Sequence, residues 1–417
     1  MRLLYTVLLA IATPLIVLRL WLKGRVQPAY RQRIAERFGQ VPTAPVAVWV
    51  HAVSVGESLA ALPLIEALIA RHGERRVWVT TTTPTGSERV QVALGERVMH
   101  SYAPYDLPQV VARFLARAQP QQVVVMETEL WPNLFAALHR RGIPLTIANA
   151  RLSPRSFKGY SRVAGFARSV LGHVTTVAAQ SSLDAERFAA LGAPNVQVLG
   201  NLKFDLALPT APQALTAEIL NLWPDNTPVW AAVSTHAGEE AVLLAAHRQL
   251  QQRVPSARMI LVPRHPQRFD EVAASIPAAG LSSIRRSALA QEQADAAVLL
   301  GDSMGEMMAY LAAAQIVFVG GSLVPVGGHN VLEPAAIGRP VLFGPHMHNF
   351  LPARELLLAA EVAREVTDAN SLSQALLDWL PVAVASPEQL ERSERARAVI
   401  AANRGALQRL LSLLDTP

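Results

Sequence analysis

The chain has 417 residues, of which 51% are hydrophobic and 17% charged, with a formal net charge of +6 and no cysteine. That length suggests two domains. The apolar content excludes a disordered chain, and the missing cysteines exclude disulfides, thiolate metal sites and cysteine nucleophiles. The positive balance suits a polyanion or an anionic membrane surface. No basic run is interleaved with aromatics and no nucleic-acid-binding module is present, so nucleic acid is not an expected partner.

The first element is an apolar stretch from Leu3 to Leu22, interrupted only by Thr6, Thr13, Pro14 and Arg19. About 20 such residues are enough to cross a hydrocarbon core of ~30 Å as a helix. Lys23, Arg25, Arg31, Arg33 and Arg37 follow it, with no small-residue cleavage site. A cleaved signal peptide carries its positive charge ahead of the apolar core. Basic residues on the C-terminal flank instead point that side to the cytoplasm. Residues 1–22 are therefore expected to be a membrane anchor with a cytosolic body. A helix lying in the plane of the membrane, docked through its basic flank, is the alternative.

Beyond the anchor, strand-like apolar runs alternate with helical patterns, as in a parallel α/β sheet. "VAVWV" (46–50) precedes a helix from about Glu57 to Arg71; "VWVTTTT" (77–83), "QVVVM" (122–126), "PLTIANA" (144–150), "TTVAAQ" and "VQVLGN" complete a first sheet. The run "LALPTAPQALTAEI", with two prolines and no strand pattern, reads as a linker. The rhythm restarts with "PVWAAVST" (228–235), "ARMILVPRHP" (257–266), "IVFVGGS" (316–322) and "RPVLFGP" (339–345), and ends in helices from about Pro387 to Leu414. The expected organisation is an anchor over 1–22, a Rossmann-like domain over 23–208 and a second over 209–417. Two such domains face each other across a cleft, and such folds bind ligands at the carboxyl ends of their strands.

Polar residues cluster where the strands give out. Ser54, Gly56 and Glu57 follow the first strand: Gly56 permits close approach or an unusual backbone angle, and Glu57 is either a helix-dipole carboxylate or a catalytic base. In "METELWPN" (126–133), Glu127 and Glu129 share a direction if the strand persists. Paired carboxylates can divide acid, base and electrostatic roles, or one of them can cap the helix beginning near Trp131-Pro132. Arg151, Arg155 and Lys158 form a basic loop, solvated or facing an anionic ligand. Lys203, in "GNLKFD", sits just before the linker.

In the second half, Pro263 and Arg264 end a strand, and Met304, Gly305 and Glu306 mark a helix start, where free N–H groups favour an anion. Gly320-Gly321 and Gly327-Gly328 are expected to leave backbone N–H groups free for a phosphate. Asn330 and Glu333, flanking Val331 and Leu332, lie three apart on one face of the next helix, where a carboxylate can accept from the two hydroxyls of a ribose. Tight turns without a ligand are the plain alternative. There is no D-x-D pair, no H-E-x-x-H, no phosphate-binding G-x-x-x-x-G-K-[ST] and no G-x-S-x-G elbow. His51, His236, His265, His329, His346 and His348 do not fall at helical metal spacing. Metal-independent chemistry is expected.

The set "HAVSVGE", "METELWPN", "ANARLSPRSFKGY", "GNLKFD", "VPRHPQRF", "GDSMGEM" and "GGHNVLEPA" resembles, in order and from the anchor to about residue 350, the bacterial 3-deoxy-D-manno-octulosonic acid (Kdo) transferases of lipid A assembly. The resemblance implies a GT-B fold, a place on the cytoplasmic side of the inner membrane, and transfer of Kdo from CMP-Kdo, a substrate rather than a cofactor, to a phosphorylated lipid A precursor. It implies Glu57 as general base, Glu127 and Lys203 as stabilisers of the transition state, and Pro263, Arg264, Met304 to Glu306 and Asn330 to Glu333 as the CMP-holding residues. Another membrane-associated GT-B transferase, or a non-catalytic nucleotide-binding scaffold at the membrane, is the alternative.

Overall fold

The fold, seen in a computed structural model, is described for residues 1–205, 211–291, 296–380 and 386–415. The first sheet contains β1 (Val48–His51), β2 (Val77–Thr81), β3 (Met99–Tyr102), β4 (Gln122–Met126), β5 (Leu145–Ala150), β6 (Thr176–Ala179) and β7 (Val196–Val198), in the order β3-β2-β1-β4-β5-β6-β7. The second contains β8 (Val229–Thr235), β9 (Arg258–Pro263), β10 (Ser283–Arg285), β11 (Val298–Leu300), β12 (Ile316–Val319), β13 (Val341–Phe343) and β14 (Ala363–Glu365), in the order β10-β11-β9-β8-β12-β13-β14. Every pairing described is parallel. Strand order reverses direction at β1/β4 in one sheet and at β8/β12 in the other, and those switch points are where doubly wound sheets open a crevice.

The strands are apolar on both sides because helices cover both faces. Val48, Val50, Val79 and Val124 point into one core layer, and their neighbours Trp49, Trp78, Val123 and Val125 into the other. Buried indoles keep their N–H groups satisfied: Trp49 donates to Thr80 Oγ1 at 2.9 Å, Trp78 to Ser101 Oγ at 2.9 Å and Trp230 to His247 Nδ1 at 3.1 Å. Four short strands have no counterpart in the sequence reading: β3, β10, β11 and β14. β3 reads "MHSY", and the other three are three residues each, too short for periodicity to register.

Two compact units result: Met1–Ala207 with Asn403–Pro417, and Leu208–Ala402. Residues 403–417, expected in the second domain, thus belong to the first, and the expected boundary at 208/209 lies outside the described residues. The linker run is also partly helical, over Gln213–Leu220, with Leu215 and Ile219 buried. The C-terminal helical stretch breaks into Pro387–Ala402 and Ala406–Leu414 at Gly405, whose φ of 93° suits glycine. Ala406, Leu410 and Leu411 then enter the first unit's core. Asp205 caps this last helix, accepting from Gly405 N at 2.6 Å and Leu407 N at 2.7 Å, and Arg409 donates to the Leu199 carbonyl.

Removing that cap in Asp205→Ala should cost about 0.5–2 kcal/mol and speed amide exchange across 406–414. Exchange at the wild-type rate would show that apolar packing alone holds the helix.

Candidate active site

In the first unit the site begins where β1 ends. Ser54 is the N-cap of the helix Val55–His72, its Oγ accepting from Glu57 N at 3.2 Å. Glu57 returns the bond: its carboxylate accepts from Val53 N and Ser54 Oγ, both at 2.9 Å. The dipole reading of Glu57 is therefore geometrically correct. Yet the side chain is only 8% exposed, and its carboxyl is pushed up to about 7. Burial is the main cause; the Val53 and Ser54 hydrogen bonds oppose it, and the Glu127 and Glu129 carboxylates add to it. Gly56 is not among the positive-φ glycines, and a Cβ there would meet only Ser54 Oγ at 3.9 Å. Its surroundings, rather than its backbone angle, are what leave room for a ligand.

β4 ends at Met126, and Glu127 adopts a left-handed φ of 57°. The strand does not persist, so alternation does not orient Glu127 and Glu129. A left-handed non-glycine residue at a strand end is strained, a feature that recurs at functional sites. Glu129 accepts from Trp131 Nε1 at 3.0 Å, and burial holds its carboxyl above the usual range. Neither glutamate caps the next helix, Pro132–Arg140. Asp106 does so, accepting from Asn133 N at 2.9 Å and Leu134 N at 2.7 Å. The expected basic loop is a helix, Pro154–Ser161, because Ser153 caps it and Pro154 opens it. Arg155 and Lys158 lie on its exposed side, whereas Arg151 is half-buried at the end of β5. Thr128 Oγ1 donates to the Arg151 carbonyl, joining the two segments.

Lys203 lies in a short 3₁₀ turn, Leu202–Asp205, fixed by Leu202 N donating to Asn149 Oδ1 at 3.0 Å. Burial lowers its ammonium pKa, Arg151 adds to this, and Glu127 and Glu57 oppose it. Lys203 and three carboxylates, from three chain segments, thus act on one another at the carboxyl edge of the first sheet.

In the second unit, Pro263 ends β9, and Arg264 N donates to the Thr235 carbonyl at 3.0 Å. Three histidines dispersed in the sequence meet beside Arg264. His236 and His329 approach at 2.8 Å between Nε2 atoms with rings stacked 5.0 Å apart, and His265 stands edge-on to His236 at 5.2 Å. Burial, then His236 and the nearby Arg264, lower His329 to about 4, so its ring is neutral near pH 7, and burial also lowers His236. Glu333 is raised by burial and lowered by a hydrogen bond from Asn330. Asn330 lies ahead of the short helix Leu332–Ala336 rather than on its face, and its Oδ1 accepts from Leu332 N at 3.0 Å. Val331 and Leu332 are buried.

One expectation fails here. The glycine loops do not leave N–H groups free: Gly320 N donates to Val233 O, and both Gly327 N and Gly328 N to Gly321 O. Gly321 N, Ser322 N and Leu323 N all donate to Glu239, at 2.8, 3.0 and 2.9 Å. Glu239 is fully buried and also accepts from His236 N at 2.8 Å. An internal carboxylate has taken the place of the expected anion. Glu306 is held by Arg286, Ser303 and Tyr310 at the start of the short helix Met307–Ala313. Met304 is 60% exposed and Gly305 has a φ of 82°. Sequence reading passed over Glu239, Asp106 and the histidine cluster. The signal for Glu239 was present, an acid in the first turn after a switch-point strand, the same placement as Glu57.

Two parallel doubly wound sheets, with polar clusters at the carboxyl ends of their switch-point strands, define a GT-B glycosyltransferase fold. A glycosyltransferase from Rickettsia africae superimposes with a TM-score of 0.57 at 15% identity, over 89% of this chain and all of that one. The family profile of 3-deoxy-D-manno-octulosonic-acid transferase (kdotransferase) matches residues 32–206. The 3-deoxy-D-manno-octulosonic acid transferase of Haemophilus influenzae is 42% identical over 99% of this chain and 98% of its own length. That of Bordetella pertussis is 40% identical, again over 99% and 98%. The chain belongs to the 3-deoxy-D-manno-octulosonic acid transferase family.

Folded Glu57 holds its proton more tightly than the ordinary 4.5 of an unfolded glutamate. Its ionisation therefore lowers stability as pH rises through about 7. Glu57→Gln lacks that slope, so its stability relative to wild type should increase by about 2–4 kcal/mol between about pH 4.5 and pH 8. Urea unfolding at both pH values measures it; parallel profiles would mean an unshifted carboxyl. Glu239→Gln replaces two acceptor oxygens with one and should destabilise the second unit by on the order of 3 kcal/mol. A wild-type unfolding midpoint would show the 320–323 loop to be held by other contacts.

Proposed function

We propose that the chain transfers Kdo from CMP-Kdo to a phosphorylated lipid A precursor, lipid IVA, with inversion at the sugar carbon, and that Glu57 takes the proton of the acceptor hydroxyl. The observation that carries this is the buried Glu57 carboxyl at about 7 in a cluster with Glu127, Glu129 and Lys203. A general base works best with a pKa near the operating pH, and burial plus like charge is how a carboxylate reaches it. The new bond forms between the acceptor oxygen and the Kdo anomeric carbon while the bond from that carbon to the CMP phosphate oxygen breaks. Glu57 keeps the acceptor proton, and the bond's electron pair leaves with CMP.

Lys203 and Glu127 then act on the charge that develops in the transition state, the ammonium as a cation and Glu127 as its orienting partner. On the donor side, Pro263 and Arg264, the Met304-Gly305-Glu306 turn and the stretch Asn330 to Glu333 hold CMP. Because Glu239 occupies the loop N–H groups, the phosphate charge falls chiefly to Arg264 and to ring N–H donors of the histidine cluster. Glu333, oriented by Asn330, accepts from the ribose hydroxyls. A monophosphate leaving group answered by these donors requires no metal or further cofactor in this reading.

The acceptor is a lipid, and the N-terminal helix is long and apolar enough to enter a membrane. We place the protein at the inner membrane, attached through that helix with its body on the cytoplasmic side. Its basic flank adds about 1 kcal/mol per Lys or Arg at an anionic surface.

Mass spectrometry of tetra-acylated lipid A precursor, incubated with the protein and freshly generated CMP-Kdo, should show increments of Kdo, their number giving the residues transferred. The rate should climb with pH through about 7 as Glu57 ionises. Glu57→Gln should abolish transfer while CMP still binds. A Gln variant with near-wild-type turnover would remove Glu57 from the reaction, and no increment from intact CMP-Kdo would remove the donor–acceptor pair.

A further inference from the structure

The helix Arg2–Lys23 has two distinct sides. Leu4, Leu8, Ile11, Leu15, Leu18 and Leu22 recur at alternating spacings of four and three, and each is about half to two-thirds exposed. The opposite stripe, Tyr5, Leu9, Thr13, Ile16 and Leu20, is half-buried from the first turn to the last, with Thr13 buried at its middle. Near the first turn, Asn133 Nδ2 donates to Thr6 Oγ1 at 2.9 Å and the Tyr5 ring lies 6.3 Å from Phe166. Asn133 is itself buried, its amide also donating to the Asp106 carbonyl at 2.7 Å. At the far end, Arg31 Nε donates to the Trp21 carbonyl at 2.9 Å, and its guanidinium stacks 4.3 Å from the Trp21 ring.

Thr6 and Trp21 are fifteen residues apart, about 22 Å of helix; Thr6 is tied to the first unit through Asn133, and Trp21 to Arg31 in the turn that follows the helix. A helix crossing ~30 Å of hydrocarbon must carry lipid around its circumference, which this one could do only by abandoning the half-buried stripe and the buried Asn133 amide. The exposed charges agree. Arg2 lies at one end and Lys23 and Arg25 at the other, with Arg19 flanking the leucine stripe. In a spanning helix Arg19 would sit within the apolar stretch, whereas beside a flat helix all four reach phosphates of one leaflet.

We propose that this helix lies in the plane of a single anionic leaflet, its leucine stripe among the acyl chains, and does not cross the bilayer. The proposal rests on the membrane attachment read above and narrows it. It also links the lipid surface to the site. The Thr6–Asn133–Asp106 seam fixes the start of the helix Pro132–Arg140, which directly follows the Glu129–Trp131 segment, so an acceptor lifted from that leaflet meets carboxylates held by the same contacts.

The chain has no cysteine, so single cysteines report sidedness cleanly. Arg2→Cys and Arg25→Cys in the full chain would be treated with a membrane-impermeant maleimide in spheroplasts and in inverted inner-membrane vesicles. Both should label in inverted vesicles and neither in spheroplasts, and Ile11→Cys should lose labelling when phosphatidylglycerol-containing vesicles are added to purified protein. Labelling of Arg2→Cys in spheroplasts alone, with Arg25→Cys labelled only in inverted vesicles, means a spanning helix and overturns the proposal while leaving membrane attachment intact. Protein that fails to float with those vesicles overturns the attachment itself. A lipid-free dimer that protects Ile11→Cys assigns the stripe to a second copy and overturns the proposal too.

Discussion

A parallel sheet covered by helices on both faces can place polar chemistry only at its strand ends, and both units of this chain are arranged under that constraint. In the first, β1 and β4 part company at the switch point, and the residues that follow them are Ser54–Glu57 and Glu127–Trp131. In the second, β8 and β12 do the same, followed by His236–Glu239 and Gly320–Leu323. Apolar side chains such as Trp49, Val125, Trp230 and Phe318 are fully or almost fully buried just behind these ends. Every charge placed there is consequently partly desolvated.

The two units use a carboxylate at equivalent places for different ends. Glu239 accepts from four backbone N–H groups, which satisfies a buried carboxylate and turns it into a structural tie. Glu57 accepts from one backbone N–H and one hydroxyl while facing two other carboxylates, and burial with so little compensation keeps its proton. The difference lies in the number of donors the neighbouring loop can turn toward the carboxylate. Left-handed residues at Glu127, Asn149 and Ser234 mark where the chain bends away from regular geometry to build these surroundings. The energetic burden of those bends is borne by the packed sheets.

Much of this was legible without coordinates. The strands "QVVVM" and "PVWAAVST" announce themselves by length and β-branching, and the helix after Ser54 by its N-cap. The ordered motifs around Glu57, Glu127 and Lys203 carried the resemblance to the Kdo transferases. What was not legible shares one cause: it depends on partners remote in sequence. Glu239 has the same local setting as Glu57, and only the loop 82 to 84 positions away reveals that it is a tie. His236, His265 and His329 show no metal or catalytic spacing and still converge. Asp106, not a nearby glutamate, caps Pro132–Arg140 from 27 residues away. The final helix returns to the first unit because Asp205, two hundred positions earlier, receives its N-terminus.

The sequence by itself determined the two parallel α/β units, the apolar N-terminal helix and the family, because apolar periodicity, turn residues and ordered motifs are local properties. Tertiary structure decided how each charged group is used, since a pKa or a hydrogen-bond tie depends on burial and on donors brought in by distant segments. It also decided that one stripe of the first helix is half-buried and the other exposed, a distinction that hydropathy, which sums over all faces of a helix, does not contain.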